Sequence, residues 1–341
     1  MRKAHSFFLR NMVDFDKMKV YRRSGMRDRA ADIGMQLWYE KQQRNHIMAI
    51  SSFCIGCILK RQEERIRELP FSDEKKEQFM KELCGLIAAT PTEATSPVIV
   101  ADIRVLIQKY FDIVDSYEEE KTHFNQLMLE AEDVLTEMIE SADEPLKEAL
   151  RLARIGNYID FGAMNDVSDK KLAELFAETE NDVVDEKEWA ALKADLEKAK
   201  TLTYLTDNCG EIVLDKLFIK KLKEAYPQLD IMVIVRGGKV LNDATLEDAQ
   251  AVGLTDVVKV IGNGSSIAGN ALGYISQEAE DRIRNADVVI SKGQGNFESL
   301  NGCGLNIYYL FLCKCDWFVR RFKMKRLTGI LVNDRNLENR V

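Results

Sequence analysis

The chain has 341 residues, 46% hydrophobic and 30% charged, with a formal net charge of −8. Its length exceeds one ordinary small domain and calls for two units, or one large α/β domain carrying an appendage. The composition is that of a soluble globular protein; no apolar run reaches the length of a membrane span, and the acidic balance argues against a general nucleic-acid binder, which needs a concentrated basic surface.

Residues 1–47 depart from that balance, with eleven Lys/Arg against five Asp/Glu, a local charge of +6 that leaves −14 for the remainder. Three readings of this basic extension stay open: a targeting peptide, an RNA-contacting arm, or upstream sequence before a start at Met48. It lacks the continuous apolar core of a secretion signal. Seven cysteines, at 54, 57, 84, 209, 303, 313 and 315, are an odd set without such a signal, which points to reduced thiols and a cytoplasmic location.

From Met48 to about Lys200 apolar residues recur at three and four positions, as in Ile103, Leu106, Ile107 and Tyr110, or Leu127, Ala131 and Leu135. This stretch reads as a helical domain, 48–200, punctuated by Pro70, Pro91, Pro97 and Pro145 where helices should start or stop. After Thr201 the texture changes to short β-branched and aliphatic runs between helical stretches, the signature of βα units and a parallel sheet in a second domain, 201–341. The expected strands are Leu202–Thr206, Ile231–Val235, Val257–Ile261, Val288–Ser291, Ile307–Leu312 and Gly329–Val332, with helices beginning near Gly210, Thr245, Ala268 and Phe297. The fold class is therefore α/β with a doubly wound, mainly parallel sheet, in which ligands bind beyond the carboxyl ends of the strands.

The residues at those ends carry chemistry. Asp207 and Asn208 leave the first strand together and supply hard oxygen donors of the kind Mg²⁺ and Mn²⁺ accept, while Gly210 and Glu211 follow at a helix start, where N–H groups favour anions. Helix capping is the competing reading for Asp207 and Asn208. The second strand ends in Arg236-Gly237-Gly238-Lys239-Val240-Leu241-Asn242-Asp243, which brings a second carboxylate to the same edge. A divalent cation would relieve the repulsion between Asp207 and Asp243. The fourth strand runs into Lys292-Gly293-Gln294-Gly295-Asn296-Phe297-Glu298, so the Lys292 side chain is expected to emerge at the ligand end and meet a phosphate. A metal, paired carboxylates, a lysine and glycine turns suit phosphoryl transfer, with metal-activated water attacking phosphorus; an aspartate nucleophile stays open as the alternative. His5, His46 and His123 form no zinc-protease motif.

These strings resemble the damage-control phosphatases, an acidic-residue methyltransferase-like family: Thr206-Asp207-Asn208-Cys209-Gly210-Glu211, Leu241-Asn242-Asp243-Ala244-Thr245, Ser291-Lys292-Gly293-Gln294-Gly295-Asn296-Phe297-Glu298, and Gly156-Asn157-Tyr158-Ile159-Asp160-Phe161-Gly162 in the helical half. The resemblance covers about residues 50 to 320 and implies a helical part packed on an α/β/α sandwich. It also implies hydrolysis of small phosphorylated metabolites, as in metabolite repair, with Mn²⁺, Co²⁺, Ni²⁺ or Mg²⁺. It places the metal on Asp207, Asn208 and Asp243, brings Asn157 and Asp160 to the substrate beside Gly210, Glu211, Gly293 and Asn296, and gives Lys292 the phosphate; a plain turn is the competing reading for Asn157 and Asp160. Cys54-Ile55-Gly56-Cys57 resembles the stand-alone microbial branch. With Cys313 and Cys315 it could form a four-thiolate zinc site, although one such pair is a weak signal and buried structural cysteines are the favoured reading. The rival functions are methyl transfer from S-adenosylmethionine to carboxylates, which leaves the metal ligands unexplained, and a non-catalytic interaction protein. An NAD-linked oxidoreductase fails because Ile267 stands where the third fingerprint glycine belongs.

Overall fold

A computed structural model describes residues 50–91, 94–160, 169–177 and 182–340; the basic extension lies outside the described residues. Eight helices precede the sheet among them: α1 (Ser52–Arg67), α2 (Asp73–Ala89), α3 (Ser96–Phe111), α4 (Glu118–Glu130), α5 (Glu132–Ser141), α6 (Pro145–Gly156), α7 (Asp169–Ala177) and α8 (Glu186–Lys198). Their ends follow local chemistry. Ser51, Ser72 and Asp185 accept backbone N–H groups at the starts of α1, α2 and α8, and Pro97 and Pro145 sit in first turns, where a missing N–H costs nothing. Helices α1 to α3 bury their own small core around Ile66, Phe79, Leu83, Ile103 and Phe111.

The second half alternates as anticipated: β1 (Thr201–Leu205), α9 (Glu211–Ala225), β2 (Asp230–Val235), α10 (Leu246–Ala251), β3 (Lys259–Gly262), α11 (Gln277–Asn285), β4 (Val288–Lys292), α12 (Gln294–Leu300), β5 (Ile307–Leu312), α13 (Asp316–Phe322) and β6 (Gly329–Asn333). The strand order is β3-β2-β1-β4-β5-β6, parallel except for the antiparallel pair β5 and β6. The chain thus winds outward from β1 in one direction and from β4 in the other, and the switch point falls between them. Alternate strand residues fill opposite layers: Leu202, Tyr204, Val233 and Ile290 pack with α6, α8 and α9, whereas Leu205, Ile234, Val289 and Phe311 pack with α11, α12 and α13.

One expected element is absent. No helix begins near Ala268; residues 263–276 form a loop tied down by Asn263 and Asn270, and the helix starts at Gln277 with Ser276 as its cap. Gly264 and Gly273, both at positive φ, break the pattern that the apolar spacing suggested. The third strand likewise begins at Lys259, after a short 3₁₀ turn over Leu254–Asp256.

On the α12 side, Phe297 is fully buried and meets Tyr309, Phe318 and Phe322 edge-on. Phe297→Ala should destabilise the fold by about 3–5 kcal/mol, read as a lowered urea midpoint with an unchanged m-value.

Candidate active site

Asp207 leaves the carboxyl end of β1, and the residue after β4, Gly293, lies directly against it. Gly293 sits at φ 79°, and a Cβ there would overlap the Asp207 carboxylate, so glycine is required on both conformational and steric grounds. The loop after β2 is joined to this point by backbone bonds. An antiparallel bridge pairs Asn208 with Asp243, with Cys209 N donating to Asn242 O and Ala244 N to Asp207 O, each at 2.8 Å. Asp207, Asn208 and Asp243, expected together from sequence, therefore share one buried site at the switch point.

Arg236, the residue following β2, stands between the two aspartates. Its Nε donates to Asp243 Oδ2 at 2.6 Å and its other nitrogens to Asp207 Oδ1 at 3.2 Å and Asn296 Oδ1 at 3.0 Å. Asn157, arriving at the end of α6, donates to Asp207 Oδ2 (3.1 Å) and Glu211 Oε2 (3.0 Å), while Asn208 Nδ2 donates to the same two oxygens at 2.9 and 3.1 Å. Both amides thus point nitrogen inward. Among the described residues, Asn208 Oδ1 and Asp243 Oδ1 accept no hydrogen bond, which leaves them as donors for a ligand.

Lys292 corrects an expectation. It does not emerge at the ligand end: its side chain has no exposure, and its three protons go to Ala153 O (2.9 Å), Glu211 Oε1 (2.5 Å) and Asp215 Oδ1 (2.6 Å). Strand alternation turns it into the layer of α6 and α9 instead. Gly210 is corrected similarly. Its N–H is taken by Asn125 Oδ1 at 2.6 Å, and its missing side chain admits Ile159 and Phe124 rather than a ligand. Asp160 pairs with Lys314 at 2.6 Å, and Asn296 bonds to Thr206 O and Lys292 O as well as Arg236.

Charge is unevenly distributed here. Among the described residues, Asp207, Asp243, Glu211 and Asp215, all buried and linked through the bonds above, pair with the cations Arg236 and Lys292, a formal excess of two negative charges. Burial, followed by the Asp243, Glu211 and Asp160 carboxylates, pushes Asp207 well above the usual range against the pull of Arg236. Burial lifts Asp243 to about 6 and Asp215 to about 7, opposed by Arg236 and Lys292 respectively. For Lys292, burial acts downward but Asp215 and Glu211 outweigh it and hold the ammonium above its ordinary value.

The donor set fits a hard divalent cation, which takes carboxylate and amide oxygens and cancels the charge excess. Among the described residues no three His, Cys, Asp or Glu side chains are grouped to hold a metal, so a cation here would need an amide oxygen, such as that of Asn208, beside the carboxylates. The same observation removes the four-thiolate site: Cys54, Cys57, Cys313 and Cys315 are free, and Cys57 is exposed rather than buried.

Arg236, Asp215 and Tyr204, whose hydroxyl donates to Asp215 at 2.7 Å, were missed. Asp215 had a readable signal, since it stands four residues after Glu211 on a helix and among Ile212, Leu214 and Phe218, a buried face where an unpaired carboxylate would be costly.

Two measurements follow. Lys292→Met leaves Glu211 and Asp215 unpaired and should cost about 3–5 kcal/mol of stability, partly recovered by adding Asp215→Asn; a surface lysine would cost under about 1 kcal/mol. Glu298, half-buried on α12, is pushed up to about 8 by burial, with Asp160 adding to it. Between its ordinary value of 4.5 and about 8 the folded chain keeps a proton that the unfolded chain has lost, so stability falls as pH rises through that window. Glu298→Gln should remove this slope, and its melting midpoint should gain on wild type between about pH 5 and about pH 9.

Three comparisons bear on identity. The family model described as the damage-control phosphatase ARMT1-like domain matches residues 50–327. Damage-control phosphatase PH1575 of Pyrococcus horikoshii is 30% identical over 85% of this chain and 99% of its own length, and a damage-control phosphatase of Archaeoglobus fulgidus is 27% identical over 79% and 93%. The crystal structure of the Pyrococcus horikoshii protein, described as a DUF89 family protein, superposes with a TM-score of 0.69 at 26% identity, covering 84% of this chain and 99% of that one. With the family model spanning most of the chain, the protein belongs to the damage-control phosphatase ARMT1-like family.

Proposed function

We propose that this protein is a metal-dependent phosphomonoester hydrolase acting on a small phosphorylated metabolite, with Asp207, Asn208 and Asp243 holding a divalent cation. The observation that carries this reading is the grouping of four buried carboxyl side chains, against two cations among the described residues, at the sheet's switch point. Membership of a family whose relatives are named phosphatases supports the reaction class. When bound, Mn²⁺, Co²⁺, Ni²⁺ or Mg²⁺ supplies positive charge to polarise a phosphoryl group and to acidify water.

The chain's own residues do the positioning. Glu211, paired with Lys292, accepts from the Asn208 and Asn157 nitrogens, and this fixes how both amides are turned beside Asp207. Lys292 therefore acts on phosphate only through Glu211. Arg236, on both aspartates and Asn296, is the cation that faces the reacting group, and Gly293 leaves room for the Asp207 carboxylate. Asp160, held by Lys314, is the expected contact for the rest of the substrate, and Asn296, fully buried, acts through Arg236.

The test is phosphate release from a panel of phosphorylated metabolites and p-nitrophenyl phosphate, after chelation and readdition of each metal. Wild type should need a metal, and Asp207→Ala should lose at least about a hundredfold in kcat/KM, the scale of a lost electrostatic contact at the transition state. No release from folded, metal-supplemented protein on any member of the panel would defeat the proposal.

A further inference from the structure

A cavity of about 370 Å³ lies between α3 with the turn that follows it and the loops after β2 and β3. The loop after β2 connects its wall to the carboxylates. Lys239, on its wall, lies in the same loop that begins at Arg236 and ends at Asp243, and α3 reaches α12 where Pro97 lies against Gly295. The loop side is rigid: Gly237 N and Gly238 N both donate to Ser265 O at 3.1 Å, and a Cβ at Gly237 would overlap the Gly264 backbone. From there a run of amides leads back to the site. Gly237 N donates to Asn263 Oδ1 (2.8 Å), Asn263 to Asn270 (3.0 Å) and Asn270 to Asn296 Oδ1 (2.8 Å), the atom that also receives Arg236.

The walls combine two chemistries. Val105, Ile113, Val114 and Ile267 make them apolar, with Val105 and Val114 more than two-thirds exposed. Arg104 and Lys239 add two cations. The one acid in the lining, Asp115, is already bound to Arg65 at 2.5 Å, Arg104 has no ion pair among the described residues, and Lys239 holds Glu118 only through an exposed contact of 3.0 Å that solvent screens. A small-molecule pocket typically shows this make-up, apolar walls with a few placed polar groups. In a chain of net charge −8, Arg104, in no ion pair among the described residues, and Lys239, held only by an exposed pair, mark a place for an anion.

We propose that this cavity is the specificity subsite: it takes the part of the substrate beyond the scissile phosphate, and the preferred substrate class is a phosphomonoester joined through an apolar spacer to a second anionic group, recognised by Arg104 and Lys239. The inference rests on the phosphatase reading above. Its test uses O-phosphorylated ω-hydroxyalkanoic acids of increasing chain length against the matching amides, with metal-supplemented full-length protein. One spacer length should show an acid-over-amide preference of about tenfold in kcat/KM, carried by KM, as expected of uniform binding. Arg104→Ala/Lys239→Ala should reduce that ratio to about twofold or less, and Arg104→Lys, which keeps the charge, should retain most of it. Calorimetric binding of the same acid and amide pairs separates the two readings. Cleavage without an acid preference at any length, or a preference indifferent to Arg104 and Lys239, overturns the subsite; no cleavage of any phosphate, with Arg104-dependent binding of the acid intact, overturns the phosphatase and leaves the subsite standing.

Discussion

The structure depends on burying more carboxyl groups at one point than there are cations, among the described residues, to match them. Asp207, Asp243, Glu211 and Asp215 lie within one hydrogen-bonded group behind the sheet edge, where burial, then the neighbouring Asp243 and Glu211 carboxylates, raise Asp207. Such an arrangement is unstable in an apolar interior unless nearly every oxygen finds a donor. Most do, through Arg236, Lys292, Tyr204, Asn157 and Asn208. Asp215 Oδ2 is an exception, buried with no partner.

The helical half is part of this balance. Helix α6 supplies the Ala153 carbonyl to Lys292 and the Asn157 amide to Asp207, and the turn beyond it gives the Ile159 carbonyl to Asn242. Close approach makes this possible: a Cβ at Gly156 would overlap Leu214, so α6 and α9 meet most tightly where Asn157 enters the site. The helices thus complete the hydrogen bonding of residues that the sheet loops present, and His46–Val341 behaves as one compact unit.

The sheet was legible in the sequence because strand periodicity and helix punctuation are local. β5 lies where the alternation of texture placed it, and the other strands differ from expectation by a residue or two. Asp207, Asn208 and Asp243 were legible because strand ends in a doubly wound sheet share one edge. Lys292 was not, since its burial depends on which layer the strand's alternation turns it toward, and on Glu211 and Asp215 waiting there from another element. Arg236 escaped notice because a charged residue after a strand reads as surface until its two partners are known. The loop over 263–276 was misjudged for the related reason that Asn263, Asn270 and Asn296 stabilise it through one another and through partners on other elements.

The backbone clasp between Asn208 and Asp243 has a consequence for how the site can change over evolution. Its bonds run from Cys209 N to Asn242 O and from Ala244 N to Asp207 O, so peptide groups rather than side chains set the spacing of the two aspartates. Replacing a side chain at this edge alters charge or ligand chemistry without dismantling the frame that holds it. A lineage can therefore exchange ligands, metals or substrates one substitution at a time, and retreat from a failed exchange, while the loops themselves stay in register.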